Sequence, residues 1–448
     1  MMRLFCWFFI VCFGWSFDQL VFSIDNHVFD LRDLYLKYSR NEWDSSPLST
    51  KKTILKDYLK REGVFLEAVN LGYENDPIVM DRLFQIEKQF LINLFYEHRV
   101  AGPLVSDGVL KNAENHIKKE FFVKHVLVSH NKSSLQNPVN RTSDDALALS
   151  TKIISSLIDS LNGEVASFDS LALLYSDDPS VLKNRGALGW IQWGLFVDEF
   201  QEAVFNSGGL GILGPIETKY GYHVVAVDSI RDSAFSVDSD DVVAHEAFSR
   251  SLRSLYNSLK PAAAAFDSLV LNDNLFHLNS FVVDDLFDNL KDQLSTTKPL
   301  GKTFNLSEYL LGIETPVLLF SFQGRGFGPF WLGNQLRSLP PSRVPQISSQ
   351  KDFVNLIKLF VLKEFAYKEA LNSDYLNSGY FSRNFGLEKK KVVYDYYLRD
   401  LVNSVSVPDS FSVLGYYEKE RENKYYNSDL VLIKRLKVFR RGLADSLS

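Results

Sequence analysis

Two histidines, His125 and His223, sit inside runs that read as strands: Phe121-Phe122-Val123-Lys124-His125-Val126-Leu127-Val128 and Tyr220-Gly221-Tyr222-His223-Val224-Val225-Ala226-Val227. β-Branched and aromatic residues dominate both runs and the histidine falls within the apolar alternation, so each imidazole is expected to project from a sheet face and not from a loop. Neutral imidazole carries one donor and one acceptor, and two such rings on one sheet make a place for a site. Other chemistries find little in the chain. Its 8 histidines include no His-Glu-x-x-His and no paired cysteine spacing, so no metal is expected. There is no Gly-x-Ser-x-Gly elbow, and Gly208-Gly209-Leu210-Gly211 lacks the Lys-Ser/Thr of a phosphate loop.

The elements that must position the histidines lie between them. In order come Leu174-Tyr175-Ser176-Asp177-Asp178-Pro179, Gly186-Ala187-Leu188-Gly189-Trp190, Phe196-Val197-Asp198-Glu199-Phe200 and Gly214-Pro215-Ile216-Glu217-Thr218-Lys219-Tyr220-Gly221-Tyr222-His223. In this order and at these spacings, residues 119–231 resemble the parvulin family of peptidyl-prolyl cis/trans isomerases. The resemblance implies an α+β fold, a small antiparallel sheet surrounded by helices, that rotates X-Pro bonds without nucleophile or cofactor.

By the same resemblance the proline ring would sit among Leu188, Phe196 and Phe200, with Phe196 where the family often has methionine. His125 and His223 would stand side by side on adjacent central strands, with Thr218 nearby, as a hydrogen-bonded floor that fixes ring orientation and tautomer. Asp178 takes the place of a cysteine or aspartate facing the substrate carbonyl, and Tyr220 would close the rim. Plainer readings stand beside these. A strand histidine can be purely structural, the three apolar residues can be ordinary core, and Asp178 in Ser-Asp-Asp-Pro can be turn chemistry. The segment departs from the family at Ala187, where an aspartate is common, and in one extra residue between Asp178 and Gly186; both concern loop geometry. Ser129-His130-Asn131-Lys132 is not the arginine cluster of phosphate-directed relatives, so phosphoprotein specificity is not expected.

At 448 residues, 46% hydrophobic and 23% charged, the chain suits several globular domains, and its charge of -6 gives no basic footprint for nucleic acid. Residues 1–16 read as an export signal: Arg3, an apolar run over 4–13, then Gly14-Trp15-Ser16 as a cleavage site. The run stops at Asp18, short of the about 20 residues a spanning helix needs. If uncleaved, it would be a membrane anchor. Both cysteines, Cys6 and Cys12, fall inside it, so the mature chain would hold no thiol; bulky Val11 speaks against lipidation of Cys12.

The flanks carry an internal repeat. Val21-Phe22-Ser23-Ile24-Asp25-Asn26-His27 is echoed by Leu319-Phe320-Ser321-Phe322-Gln323-Gly324-Arg325. The echo continues with Glu67-Ala68 and Glu369-Ala370, Tyr73 and Tyr375, Glu87-Lys88 and Glu388-Lys389, and Ser106-Asp107 and Pro408-Asp409. A last strand is expected at 429–433. Ile54, Leu55, Tyr58, Leu59, Phe65, Leu66 and Val69 recur at helical spacing and make one apolar face. With 35 phenylalanines and 20 tyrosines, some aromatic surface could line a groove for apolar polypeptide.

The expected division is a signal over 1–16, a helical segment over 17–118, the isomerase over 119–231, a polar linker and helices over 232–315, and a second helical segment over 316–448. This arrangement is similar to the periplasmic foldase-chaperones of the SurA type, whose flanks pack into one chaperone body with the isomerase as insertion or satellite. That likeness implies an exported, periplasmic isomerase and chaperone. Its partners would be unfolded or extended proline-containing polypeptides such as envelope proteins, with membrane contact only if the signal is kept. A chaperone with an idle isomerase domain is the alternative.

Overall fold

The structure is a computed structural model describing residues 20–421 apart from 25–26, 36, 39, 136–138, 162–166, 254, 298–303, 340–343, 346 and 406–408. The signal-like run over 1–16 and the strand expected at 429–433 lie outside the described residues. The chain divides into two compact units, Met1–Tyr394 and Asp395–Ser448.

A hairpin of β1 (Leu20–Ile24) and β2 (His27–Asp30) leads into α1 (Leu31–Tyr35), α2 (Arg40–Ser45), α3 (Leu48–Asn70), α4 (Pro77–Tyr96) and α5 (Asp107–His116). The central region runs β3 (Lys119–Val128), α6 (Ser143–Leu161), α7 (Phe168–Tyr175), α8 (Val181–Asn184), β4 (Ala187–Gln192), α9 (Asp198–Phe205), β5 (Gly211–Thr218) and β6 (Gly221–Asp232). After it come α10 (Asp240–Ser251), α11 (Tyr256–Asp273), β7 (His277–Leu278), α12 (Ser280–Thr297) and α13 (Leu306–Leu311). The chain goes on with β8 (Phe320–Phe322), β9 (Arg325–Phe327), α14 (Pro329–Arg337), α15 (Gln350–Leu371), α16 (Gly379–Ser404) and α17 (Ser410–Glu420).

The central sheet is antiparallel in the order β4-β3-β6-β5, which puts the two histidine strands side by side in the middle. Alternation sorts its side chains into two cores. Phe121, Val123, Val225 and Val227 face one core with Phe200, Val204 and Ile191. Val126, Val128, Tyr222 and Val224 face the other, with Ile153 and Leu157 of α6 and Leu171 of α7.

The first of these cores corrects the expected boundaries. It includes Ala113 and Ile117 before the sheet and Val243 and Ala247 of α10 after it, so the domain reaches beyond 119–231 on both sides. Nor do residues 233–241, the start of the polar linker expected within 232–315, stand clear of the core. Ser233, 5% exposed, donates its hydroxyl to the Ile117 carbonyl at 2.6 Å, and Phe235 packs on the same core. The polar composition there serves caps and ion pairs: Arg383 reaches Asp238 at 2.8 Å and the Tyr380 N–H donates to Asp241 at 3.0 Å.

The flanks keep a common element order: a hairpin, short helices (two in the first copy, α1 and α2, one in the second, α14), a long helix, a 3-10 turn (Tyr73–Asn75 or Asp374–Asn377) and a second long helix. Local signals fix the ends. Asp76 caps α4 by accepting the Ile78 and Val79 N–H groups with Pro77 in the first turn, and Ser349 with Asp352 makes a reciprocal capping box for α15. The long helices pair crosswise. Leu91, Ile92, Leu94 and Phe95 of α4 share a core with Ala366 and Ala370 of α15, while Glu62 of α3 accepts from Lys390 of α16 at 3.1 Å. Within Met1–Tyr394 the flanks therefore make one body, and the sheet is held to it. Arg231 of β6 donates to Asp44 and Asn41 of α2 at 2.6 and 2.8 Å and to buried Glu120 at 2.6 Å.

Candidate functional site

The site begins with register. In the β3–β6 pairing His125 lies opposite Val225 and His223 opposite Leu127, so the two imidazoles are diagonal neighbours on one face. Their Nδ1 atoms are 3.2 Å apart. The strand around His125 leaves no room for a side chain on its neighbour: the His125 N–H donates to the Gly186 carbonyl at 2.8 Å. Gly186 has φ +82, and a Cβ there would stand 2.5 Å from the His125 carbonyl oxygen.

Asp178 is delivered by the loop after α7, which zips onto the end of β3. The Asp177 N–H donates to the Leu127 carbonyl at 2.8 Å and the Leu127 N–H to Ser176 Oγ at 3.1 Å. The Asp177 carboxylate takes the Ser129 N–H, the Ser129 hydroxyl and Arg141 at 2.9, 2.7 and 2.8 Å. Held in this way, Asp178 accepts from His125 Nε2 at 2.6 Å through Oδ2, and through Oδ1 from the Ser180 N–H at 2.7 Å and hydroxyl at 2.8 Å. The His125 hydrogen bond, outweighing burial and helped by Ser180, holds the Asp178 carboxyl well below the usual carboxylate range.

On the far side Thr218 Oγ1 lies 2.9 Å from His223 Nε2 and takes the Tyr220 N–H at 3.1 Å. Burial, with His125 adding to it, pushes the His223 imidazole down to about 3, so it is neutral at ordinary pH. These contacts fit one proton direction. With one proton on each ring, ionised Asp178, which can only accept, orders the chain: His125 Nε2–H to Asp178, His223 Nδ1–H to His125 Nδ1 and the Thr218 hydroxyl to His223 Nε2, while Thr218 also accepts the Tyr220 N–H.

An apolar corner adjoins this chain. Phe200 makes T-shaped contacts with His223 and His125, ring centres 5.2 and 6.2 Å away, and Phe196 stacks on it at 5.4 Å. Leu188 packs against the same cluster. Phe200 is only 2% exposed, so it forms the back of the corner, and half-buried Leu188 and Phe196 offer its open surface.

Seven of the eight residues singled out in the sequence are thus brought together. Tyr220 sits in the tight turn between β5 and β6 and joins the site through its amide, and its ring carries the Lys219 ammonium at 5.2 Å. Sequence reasoning missed Ser180, Asp177, Ser129 and Arg141. The Ser-Asp-Asp-Pro-Ser run could have revealed the first two, but nothing local marks Arg141, which lies 36 positions from Asp177.

A model of the PPIC-type PPIASE domain family matches residues 109–231. This segment is therefore a parvulin-type peptidyl-prolyl isomerase domain, and its start at 109 takes in most of α5 as the core does. Among curated proteins the chain is 26% identical over 227 residues to the foldase protein PrsA of Halalkalibacterium halodurans, covering 50% of this chain and 61% of the relative. It is 36% identical over 95 residues to the chaperone SurA of Alcanivorax borkumensis, covering 20% of this chain and 22% of the relative. To a putative peptidyl-prolyl cis-trans isomerase, Cbf2, of Campylobacter jejuni it is 24% identical over 190 residues, covering 41% and 64%. The chain spans less than two thirds of each of these relatives.

Proposed function

We propose that the chain isomerises X-Pro bonds in unfolded exported polypeptides and holds those polypeptides on its helical body, in the periplasm. Rotation about the X-Pro bond meets a barrier of about 18–20 kcal/mol, and a thousandfold acceleration asks for about 4 kcal/mol. A planar amide places negative charge on oxygen and positive charge on nitrogen; twisting removes both. A site that is apolar around the ring nitrogen and negative near the oxygen thus disfavours the planar form relative to the twisted one.

The Leu188, Phe196 and Phe200 corner would take the prolyl ring and exclude water from the nitrogen. Ionised Asp178 would face the carbonyl. His125 Nε2–H is committed to Asp178 at 2.6 Å and the one proton of neutral His223 to His125, so both ring protons are held within the chain, and the reaction proceeds by shaping the site and not by proton transfer.

The observation that carries this reading is the directed chain from Thr218 to Asp178 set against the Phe196–Phe200 stack. The holding function draws support from the single helical body and from the names of the chaperone and foldase relatives. Among the described residues no helix is long and apolar enough to cross a membrane. The test pairs a tetrapeptide isomerisation assay with suppression of aggregation of an unfolded envelope protein, both on the full chain. Holding without turnover would leave a chaperone with an idle isomerase domain, and turnover without holding would confine the function to 109–231.

A further inference from the structure

The turn that leads from β4 to Phe196 is gripped by a residue outside the matched domain. Arg250, on α10 and with its side chain 9% exposed, donates from one terminal nitrogen to the Trp193 carbonyl at 2.6 Å and from the other to Gln192 Oε1 at 3.3 Å. Its Nε is held by Glu246 at 2.8 Å, and its guanidinium lies 5.3 Å over the Phe235 ring. The aliphatic part of Arg250 passes where residue 194 would carry a side chain: Gly194 has φ +83, and a Cβ there would stand 2.6 Å from Arg250 Cβ. Arg253 takes the next carbonyl, that of Gly194, at 2.9 Å. From the opposite side the Gly194 N–H donates to Gln201 Oε1 at 2.7 Å, and Gln201 is the buried neighbour of Phe200 on α9.

The turn is therefore fixed at consecutive peptide groups, and two residues later it places Phe196 flat on Phe200. The Trp193 carbonyl, held by a guanidinium whose other nitrogens are anchored on Gln192 and Glu246, cannot drift without breaking charge-assisted bonds. We infer that Arg250 is a positioning residue for prolyl isomerisation, setting the Phe196 wall of the ring pocket by holding the turn at 193–194. The inference rests on the isomerase reading above. It also has a structural consequence: the helix that carries Arg250 joins the isomerase core through Val243 and Ala247 and touches the second flank, where the Asp241 carboxylate takes the Tyr380 N–H, so the ring wall is set from outside the matched segment.

The test is a double-mutant cycle on the full chain: native, Arg250→Ala, Phe196→Ala and the double variant, with kcat and KM read separately on an X-Pro tetrapeptide well below the melting temperature. Arg250→Ala is expected to cut kcat/KM about tenfold, chiefly through KM, but less than about twofold where Phe196 is already alanine. Arg250→Lys should recover only part, because an ammonium cannot span the Trp193 and Gln192 oxygens together. It takes the place of Arg250→Ala in the cycle should that variant fail to fold. Equal costs in both backgrounds, or a loss that merely tracks the unfolded fraction, would overturn the inference. If the native chain turns over no peptide, the isomerase reading fails on its own. The same four proteins titrated calorimetrically with the peptide then decide about Arg250, since additive effects on Kd, or no binding at all, overturn the positioning role.

Discussion

Asp178 accepts the His125 Nε2–H through one carboxylate oxygen, and with the other it closes the turn that carries it. One oxygen thus serves the turn reading of Asp178, and the other ties the residue to the histidine pair. Substitution by asparagine separates them. The Ser180 N–H needs an acceptor, so the asparagine oxygen stays on that side and its amide hydrogens face His125. His125 must then accept at Nε2 and carry its proton on Nδ1, His223 moves its proton to Nε2, and the Thr218 hydroxyl turns to the Gly221 carbonyl, 3.4 Å away.

Asp178→Asn is accordingly expected to reverse both imidazole tautomers, read from side-chain nitrogen chemical shifts. Turnover should fall about tenfold or more through loss of the negative charge, and the melting temperature should fall too, because a carboxyl held well below its usual range stabilises the fold through its ionised form. Asp178→Ala also strips the turn of its acceptor and should cost about 1–2 kcal/mol of stability. Unchanged tautomers in the asparagine variant would dissolve the directed chain.

The boundaries of the domain give a second expectation. A fragment cut at 119 and 231 loses Ala113, Ile117, Val243 and Ala247 from the core that also holds Phe200, and strands the Ser233 bond to the Ile117 carbonyl. A fragment over 107–253 keeps all of them. It should unfold cooperatively at a clearly higher temperature than the shorter piece and be more active per molecule. Equal melting of the two fragments would restore the narrower boundaries.

What could be read beforehand, and what could not, follows from how far apart the partners are. His125 and His223 sit in strands whose alternation is local, so each could be read onto a sheet face, while their juxtaposition with each other, Thr218, Phe196 and Phe200 was what the resemblance to the parvulins implied. The repeat was visible in element order, because α3 and α15 and their following 3-10 turns carry matching Glu-Ala and tyrosine positions. The short polar strands β2 and β9 were not visible. Nor was the hold of Arg231 on Asp44 and Asn41, whose partners lie 187 and 190 positions away. The stretch over 233–241 misled for a physical reason: serine and aspartate are chosen by solvent and by helix caps alike, and only packing tells which.

Acid should weaken the site through His223. Its imidazole titrates at about 3 in the folded chain against 6.5 for the free group. Between those values the unfolded chain binds more protons, so stability falls as pH drops through the window and is fully present above about 6.5. His223→Gln removes this dependence. The difference in melting temperature, native minus variant, should therefore shrink on going from pH 7 to pH 4. His245, held down to about 4 by burial, and Glu97, pushed up to about 7 by burial, are common to both proteins and cancel from the difference. A difference independent of pH would mean that His223 is not kept neutral by burial.

The crosswise pairing of the flanks can be tested at Glu62. This residue of α3 is 3% exposed, and its two carboxylate oxygens take Lys37 and Lys390 at 3.1 Å each, so one buried anion ties the first flank to α16 of the second. The lysines are unequal partners to it, because their side chains are 36% and 40% exposed and each ammonium can return to water when the carboxylate is removed. The penalty of an orphaned buried charge is then avoided, and what is lost is the pair of charge-assisted hydrogen bonds. Glu62→Ala should lower stability by about 1–3 kcal/mol, and Lys390→Ala, which leaves the buried carboxylate with Lys37 alone, by a similar amount, about 1–3 kcal/mol. Once Glu62 is alanine, Lys390→Ala should add almost nothing. Urea midpoints of the full chain and the three variants measure this directly. Additive losses would show that Lys390 stabilises α16 by some other contact, such as its approach to the Phe29 and Phe65 rings, and that Glu62 does not tie the flanks together.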